Sequence, residues 1–280
     1  MAQWRFIHSG ACAPAANMAI DEAILTAHSE GRVPPTVRFY GWNPASLSIG
    51  YFQKAREEID LEALEQKGIG FVRRPTGGRA VLHDQELTYS LIVSENYPGM
   101  PRSVTEAYRV LSAGLLYGFQ RLGLQAEMVS LASEEEKQKY GTASSAACFD
   151  SPSWYELVVE GRKIAGSAQT RTKGVILQHG SILLDMDVDL LFSLLRIPSD
   201  SLKARLKQSF VRKAVAVNDI LRGVGKPEVD LLQTEQAFRE GIAQGLGVTL
   251  QPAELTPYEQ ELSEKLIRDK YEHPDYTFKR

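Results

Sequence analysis

The chain has 280 residues, a formal net charge of −3 and 43% hydrophobic residues, a balance typical of a folded globular protein rather than a disordered or fibrous one. A sequence isoelectric point near 6.0 gives no overall positive charge for nucleic-acid binding, so a charged partner must be met by a local patch. The two cysteines, Cys12 and Cys148, exclude a disulfide framework and stand in no zinc-binding spacing.

These features predict a protein of the reducing cytoplasm. Residues 1–8 reach a charge at Arg5 before the apolar run of a secretory signal can develop. No apolar stretch approaches the roughly 18 residues of a membrane span. We expect a monomer that needs no metal or cofactor and binds neither membranes nor nucleic acid.

The first half of the chain is predicted to mix short strands with helices. Residues 36–42 and 47–52 are two apolar and aromatic runs separated by the turn sequence of Asn43, Pro44 and Ala45, which predicts a hairpin. Apolar spacing predicts the remaining elements, namely strands at residues 4–7, 70–74, 78–83 and 86–93 and helices at 14–28, 59–67 and 104–122.

The second half begins with a polar, Gly/Ser/Ala-rich stretch at 133–145, which predicts a loop, and continues as strands. The strands form a predicted antiparallel meander at 154–159, 162–169 and 175–185. Helical periodicity follows from residue 187 onward. This pattern predicts an α+β fold with mixed, largely antiparallel sheets flanked by helices. We expect a catalytic domain over residues 1–248 and a helical extension over 249–280 packed on it.

Residues 73–84 join two predicted strands through Gly77 and Gly78, with Arg73, Arg74 and Arg79 close by. Paired glycines permit positive φ angles and let backbone N–H groups approach a ligand, and arginines bind phosphate or carboxylate. The alternative is a plain hairpin with surface arginines.

A second segment, residues 161–168, places Lys163 on a strand of small residues. Small side chains leave room for a flexible ligand against the backbone, and an ammonium inside such a site is a strong local electrophile. The alternative is a strand lysine that points to water.

Cys148 lies between the predicted loop and the meander. A cation such as Lys163 would lower its pKa from about 8.5 and make it a nucleophile, whereas most free cysteines are buried apolar residues. Cys12 has no basic neighbour. His83 and His179 are candidates for a Cys–His pairing, or for ordinary buried histidines.

A run of five basic residues without an intervening acid follows further on, made of Lys203, Arg205, Lys207, Arg212 and Lys213. Such a run usually marks a solvated helix face, but it would also steer an acidic protein partner.

Residues 73–78 and 161–168 together resemble the motifs of the lipoate and biotin protein ligase family, and residues 17–23 resemble its opening helix. Over nearly the whole chain the sequence is most similar to the LipM-type octanoyltransferases of that family. Lipoate ligases usually carry a third glycine where this chain has Arg79, which favours an octanoyltransferase over an adenylate-binding enzyme. The order of cysteine before lysine also matches this class.

The resemblance implies the ligase-like catalytic fold and a transfer of octanoyl from octanoyl-acyl carrier protein to a lysine of a lipoyl domain, such as the glycine cleavage H protein. It implies catalytic roles for Cys148 and Lys163. The residues expected to bind substrate are Arg73, Thr76, Gly77, Gly78, Arg79, His83, Ala165, Gly166, Ser167 and Ala168.

Three other functions remain open at this point. An ATP-dependent lipoate-protein ligase would share the motifs. An amidotransferase that moves octanoyl from the H protein to other lipoyl domains would use the same thioester chemistry. A non-catalytic lipoyl-domain binder or a Cys–His hydrolase is the third.

Overall fold

The structure is a computed structural model that describes residues 1–130 and 155–279. In this part of the chain the strands are β1 (Ala2–Cys12), β2 (Thr36–Trp42), β3 (Ser46–Ile49), β4 (Gly70–Arg73), β5 (Val81–His83), β6 (Glu86–Ser94), β7 (Glu127–Ser130), β8 (Tyr155–Val159), β9 (Arg162–Lys163), β10 (Ala165–Thr172), β11 (Val175–Leu183) and β12 (Val248–Pro252). The helices are α1 (Pro14–Ser29), α2 (Ala55–Glu58), α3 (Leu61–Gln66), α4 (Val104–Arg121), α5 (Val188–Ser193), α6 (Asp200–Lys213), α7 (Val217–Gly223), α8 (Leu231–Leu246), α9 (Pro257–Leu266) and α10 (Pro274–Thr277), with a π-helical turn at Ile267–Tyr271. The predicted loop at 133–145 lies outside the described residues.

The largest sheet has six strands in the order β10-β11-β6-β2-β1-β12. Neighbouring strands from β10 to β2 are antiparallel, and β1 is parallel to both β2 and β12. Strands β10 and β11 are joined by Lys173 and Gly174, which both have positive φ, as a tight turn matched to strand twist requires. The predicted class, α+β with mixed and largely antiparallel sheets, is confirmed.

The predicted hairpin of residues 36–42 and 47–52 is wrong. Strand β2 lies in the large sheet, whereas β3 lies in a three-stranded sheet of order β4-β3-β5. Both edges of β2 are already paired, with β1 on one side and β6 on the other. Because no edge of β2 is left for β3, the chain crosses at Asn43–Ala45 into the second sheet.

The predicted strand at 162–169 is divided at Ile164 into β9 and β10. The prediction of a continuous antiparallel meander is therefore wrong at this point. The backbone N–H of Ile164 donates to the Leu157 carbonyl oxygen, so β9 pairs with β8 in the three-stranded sheet β7-β8-β9. Strand β10 then pairs with β11 in the large sheet. The break leaves Lys163 on one sheet and the small residues that follow it on another.

One face of the large sheet packs against α4 and α8 through a continuous apolar core. The two helices approach each other at glycines: a Cβ at Gly241 would lie 2.4 Å from the backbone nitrogen of Gly118, and one at Gly114 would lie 2.6 Å from the Cα of Ile242. Backbone-to-backbone contact of this kind requires residues without a side chain.

The opposite face of the sheet is covered by α1, and the C-terminal segment packs on α1 in turn. Arg5 on β1 binds Glu259 on α9 through two buried hydrogen bonds of 2.9 and 2.5 Å. Arg73 donates to the carbonyl oxygen of Thr277. Within residues 1–130 and 155–279, none of the helices combines the length and apolar composition needed to cross a membrane.

We expect Gly241→Ala to destabilise the protein. The added methyl meets the α4 backbone, and overpacking costs about 1–3 kcal/mol, which exceeds the helix-propensity gain of up to about 1 kcal/mol. Thermal unfolding should show a lower Tm. Gly223→Ala is the matched control, because a Cβ there has open space within 4 Å; a Tm raised by Gly241→Ala would contradict the packing.

Candidate functional site

A narrow cavity lies between the large sheet and the β3-β4-β5 sheet. Among the predicted site residues, His83 lines the cavity from the segment of residues 73–84, and the segment of residues 161–168 contributes Gly166, Ser167 and Ala168. The fold therefore brings these two segments, far apart in sequence, to the same cavity.

Ala165, also predicted to bind substrate, belongs to the apolar core on the α4 side of the sheet. Successive side chains of a strand point to opposite faces. Ala165 therefore packs behind the wall that its neighbour Gly166 forms.

The glycine loop after β4 is held by close backbone contacts. Gly78 has φ of 93°, a conformation that glycine adopts without strain. A Cβ at Gly50 would lie 2.0 Å from the Gly78 carbonyl oxygen, so two glycines are required where the loop crosses the end of β3. Gly77 lines a separate, open groove beside Phe52.

The two adjacent arginines bind the backbone around this loop. Arg73 donates to the carbonyl oxygens of Gly50 and Tyr51 besides that of Thr277. Arg74 lines the cavity and donates to the Gly77 carbonyl oxygen at 2.9 Å. Their hydrogen bonds shape the loop and tie it to the C-terminal segment.

Arg79, in the place where lipoate ligases usually have a third glycine, lies at the surface. Its guanidinium is 3.4 Å from a carboxylate oxygen of Glu58. The backbone carbonyl of Arg79 also accepts a hydrogen bond of 2.6 Å from Arg74.

His83 joins the two sheets through side-chain hydrogen bonds. Its Nε2 is 2.7 Å from Ser48 Oγ on β3, and its Nδ1 is 2.7 Å from Glu86 Oε1 on β6. The ring stacks on Trp42 with centroids 4.0 Å apart. His83 is thus held in one orientation at the cavity wall.

His179 forms a second hydrogen-bonded group at the cavity. Its Nε2 is 2.6 Å from Thr76 Oγ1, which places predicted Thr76 beside the cavity, and its Nδ1 is 3.6 Å from Asp21. Burial alone would raise the pKa of Asp21, but Arg38, 2.8 Å away, and His179 together outweigh burial and hold that pKa below its ordinary value. Burial lowers the pKa of His179, which favours the neutral imidazole.

Lys163 is buried and forms an ion pair with Glu156. Both carboxylate oxygens of Glu156 lie 3.0 Å from Lys163 Nζ. Lys163 is paired across the hairpin with Val158, so Glu156 is its diagonal neighbour on the same face of the strands. The carboxylate compensates the charge of the buried ammonium. Cys148 lies outside the described residues.

Comparison with known proteins decides the family. A profile of the lipoyl protein ligase A/B catalytic domain matches residues 13–243. The chain belongs to this family. The octanoyltransferase LipM of Brevibacillus brevis is 64% identical over 280 residues, covering 100% of both chains, and that of Bacillus subtilis is 54% identical, covering 99% of this chain and 98% of its own. The family indicated by the two motifs is confirmed.

Solved structures of lipoyl protein ligases have the same fold. A bi-partite lipoate protein ligase from Thermoplasma acidophilum superposes with a TM-score of 0.81 at 25% identity, covering 99% of this chain and 97% of that one. Lipoate-protein ligase A bound with ATP superposes with a TM-score of 0.76 at 25% identity, covering 99% and 98%. The expected ligase-like fold is therefore confirmed.

Several cavity residues of this family member escaped the sequence analysis. Ser48 and Ser181 line the cavity as single hydroxyls inside buried strands, where no sequence pattern distinguishes them from packing residues. Glu156 could have been predicted from the sequence. An acidic residue among apolar strand residues, close in sequence to a candidate lysine, indicates a buried ion pair. Within the described ranges, no group of three or more His, Cys, Asp or Glu side chains is placed to hold a metal ion.

Proposed function

We propose that this lipoyl protein ligase family member transfers an octanoyl group from octanoyl-acyl carrier protein, through a thioester on Cys148, to a lysine of a lipoyl domain such as the glycine cleavage H protein. The cavity built jointly by the two motifs carries the proposal. Relatives named octanoyltransferase, between 64% and 52% identical over essentially the whole chain, support it. The product is an octanoylated domain, the first intermediate of lipoate assembly on protein.

The row of strand residues along the cavity is long enough for an eight-carbon chain. Gly166, Ser181 and Thr88 are paired in one row across β10, β11 and β6, and Tyr40 continues the row on β2. Three strand spacings make roughly 14 Å, and seven bonds of an extended acyl chain need roughly 9 Å. We assign the apolar end, at Met18 and Tyr40, to the methyl terminus.

The first chemical step is thioester exchange. The Cys148 thiolate attacks the carbonyl carbon of the carrier thioester, the carrier leaves as its thiolate, which then takes up the proton that Cys148 lost, and an octanoyl-cysteine forms. The Lys163 ammonium, held by Glu156, favours the thiolate and stabilises the tetrahedral oxyanion, a contribution worth about 3 kcal/mol for a single donor. A free catalytic thiol suits a reducing compartment, so we place the reaction in the cytoplasm.

The second step is attack by the ε-amine of the lipoyl-domain lysine on the octanoyl-cysteine. The thioester bond breaks, an amide forms, and the amine proton returns to the cysteine sulfur. Exchange of one thioester for another is nearly isoenergetic and formation of the amide is downhill. No nucleotide is required for either step.

An ATP-dependent ligase is the second candidate, favoured by the similarity to lipoate-protein ligase A bound with ATP. Such an enzyme would start from free octanoate or lipoate and retain activity without Cys148. The amidotransferase alternative differs only in its donor. Competing octanoyl-carrier protein and octanoyl-H protein as donors in one reaction separates it from the main proposal.

We assign the docking of an acidic protein partner to α6. Arg205 and Arg212 are exposed on this helix, one heptad apart, and Lys207 pairs with Asp189. The helix leads directly to the candidate lysine, because the backbone N–H of Val215 donates to the Lys163 carbonyl oxygen at 3.0 Å. A partner bound along this face would present its reactive arm beside Lys163.

Cys148→Ala should abolish the octanoyl adduct that intact-mass spectrometry detects after incubation with octanoyl-acyl carrier protein. The reason is that the variant lacks the sulfur that forms the thioester. Cys12→Ser is the matched control and should retain the adduct, since Cys12 Sγ is engaged with the Ser9 carbonyl oxygen on β1. An adduct that persists in Cys148→Ala and disappears in Cys12→Ser would overturn the assignment.

Reversing two charges on α6, with Arg205→Glu and Arg212→Glu together, should raise the KM for octanoyl-carrier protein by roughly tenfold, equivalent to about 1.4 kcal/mol. The KM for octanoyl on a small thiol should not change, because that substrate makes no contact with the helix. Reversal of the exposed Lys265 and Arg268 controls for net charge. Equal effects of the two double variants would refute docking at α6.

A further inference from the structure

Ser48, His83 and Glu86 form a continuous hydrogen-bonded chain at the cavity wall. The Oγ-to-Nε2 and Nδ1-to-Oε1 distances are both 2.7 Å. Ser48 and His83 line the cavity, and the Glu86 side chain is completely buried. A hydroxyl, an imidazole and a carboxylate at successive hydrogen-bond distances are the groups with which proteins activate an oxygen nucleophile.

The hydrogen bonds run in the direction that this chemistry needs. Glu86 Oε1 accepts a further bond of 3.0 Å from Ser181 Oγ and one from Thr88 Oγ1. A carboxylate surrounded by donors is an acceptor only, so the proton of neutral His83 sits on Nδ1. Nε2 is then the acceptor, and the Ser48 hydroxyl donates to it.

The groups around Ser48 and His83 fix the positions of the reacting atoms. Glu86 Oε2 is buried and has no hydrogen-bond partner in the described part of the chain, so the carboxylate keeps an unused acceptor beside the His83 ring. Stacking on Trp42 fixes the ring plane. Arg74 Nη1 lies 3.1 Å from Ser48 Oγ, where it stabilises negative charge that develops at the attacking oxygen.

We propose that Ser48 is a second acyl-accepting nucleophile and that the protein is also an esterase and thioesterase for medium-chain acyl groups bound in the cavity. Ser48 Oγ bonds to the acyl carbonyl carbon while its proton passes to His83 Nε2. The thioester bond breaks, and the leaving thiolate takes that proton. Water then attacks the seryl ester, its proton passes through His83 to Ser48 Oγ, and the fatty acid leaves.

Another serine on the same strand has an ordinary structural role and provides a matched control. Ser46 is buried, and its hydroxyl donates to the Pro44 carbonyl oxygen at 2.7 Å. It does not line the cavity. Ser48 therefore contacts an oriented imidazole at the cavity, and Ser46 does not. This contact is the property on which the proposal depends.

Hydrolysis of p-nitrophenyl octanoate by the Cys148→Ala protein tests the proposal without interference from the thiol. We expect a rate at least about tenfold above buffer, and a fall to the buffer rate when His83→Ala is added, because loss of a general base costs roughly 10²–10⁴-fold. Adding Ser48→Ala should return the rate to that of buffer, and adding Ser46→Ala should leave it unchanged. The proposal is overturned if the Cys148→Ala protein hydrolyses the ester no faster than buffer does. It is also overturned if hydrolysis above the buffer rate persists after Ser48→Ala is added.

Labelling with octyl fluorophosphonate gives a second readout on a protein whose Ser48 is intact. Peptide mapping of labelled Cys148→Ala protein should place the phosphonate on Ser48, and labelling at other residues alone would overturn the proposal. The outcome is independent of the transfer reaction, because octanoyl transfer by the wild-type protein is scored separately through the Cys148 adduct.

Discussion

The large sheet and the small β3-β4-β5 sheet are joined beside the cavity by buried polar side chains. His83, from the small sheet, lies 2.7 Å from Glu86 Oε1 and 3.2 Å from Ser181 Oγ on the large sheet, while Ser48 holds its other ring nitrogen from within the small sheet. Buried polar groups are costly unless paired, so these bonds hold the sheets at a fixed separation. Interdigitated apolar side chains would have filled the same space at the density of other protein interiors.

Buried charges elsewhere in the fold are also paired. Arg38 is matched by Asp21 and Lys163 by Glu156, and Arg73 and Arg74 bind backbone carbonyls of the glycine loop and its neighbours. Removing one member of such a pair leaves the other charge buried, which is more costly than never having buried either. The electrostatics of the site are therefore fixed before any substrate arrives.

The sequence predicted elements well where a local pattern decides them. The helix α4 and several of the residues that line the cavity follow from spacing and composition. Which sheet a strand joins depends on edges occupied by distant strands. For that reason the predicted hairpin after β2 and the undivided strand across Ile164 were wrong.

The candidate site was predictable to a similar extent. Lys163 and the small residues after it stood out, but the partner of Lys163 depends on the register of β8 against β9, which local sequence does not specify. Ser48 becomes a candidate only because it lies close to His83. The two residues are on β3 and β5, which pair in a sheet that the sequence did not predict. The pairing of strands distant in sequence therefore decides which of the motif residues lie together in a site.

The measurement that tests the central claim most directly is a single-turnover transfer. Octanoyl-enzyme, isolated free of carrier protein and nucleotide, is mixed with unmodified H protein, and both proteins are followed by intact-mass spectrometry. The account predicts that octanoyl leaves the enzyme and appears on one H-protein lysine in equal amount without ATP. Modification of the H protein only when ATP and free octanoate are added would contradict it.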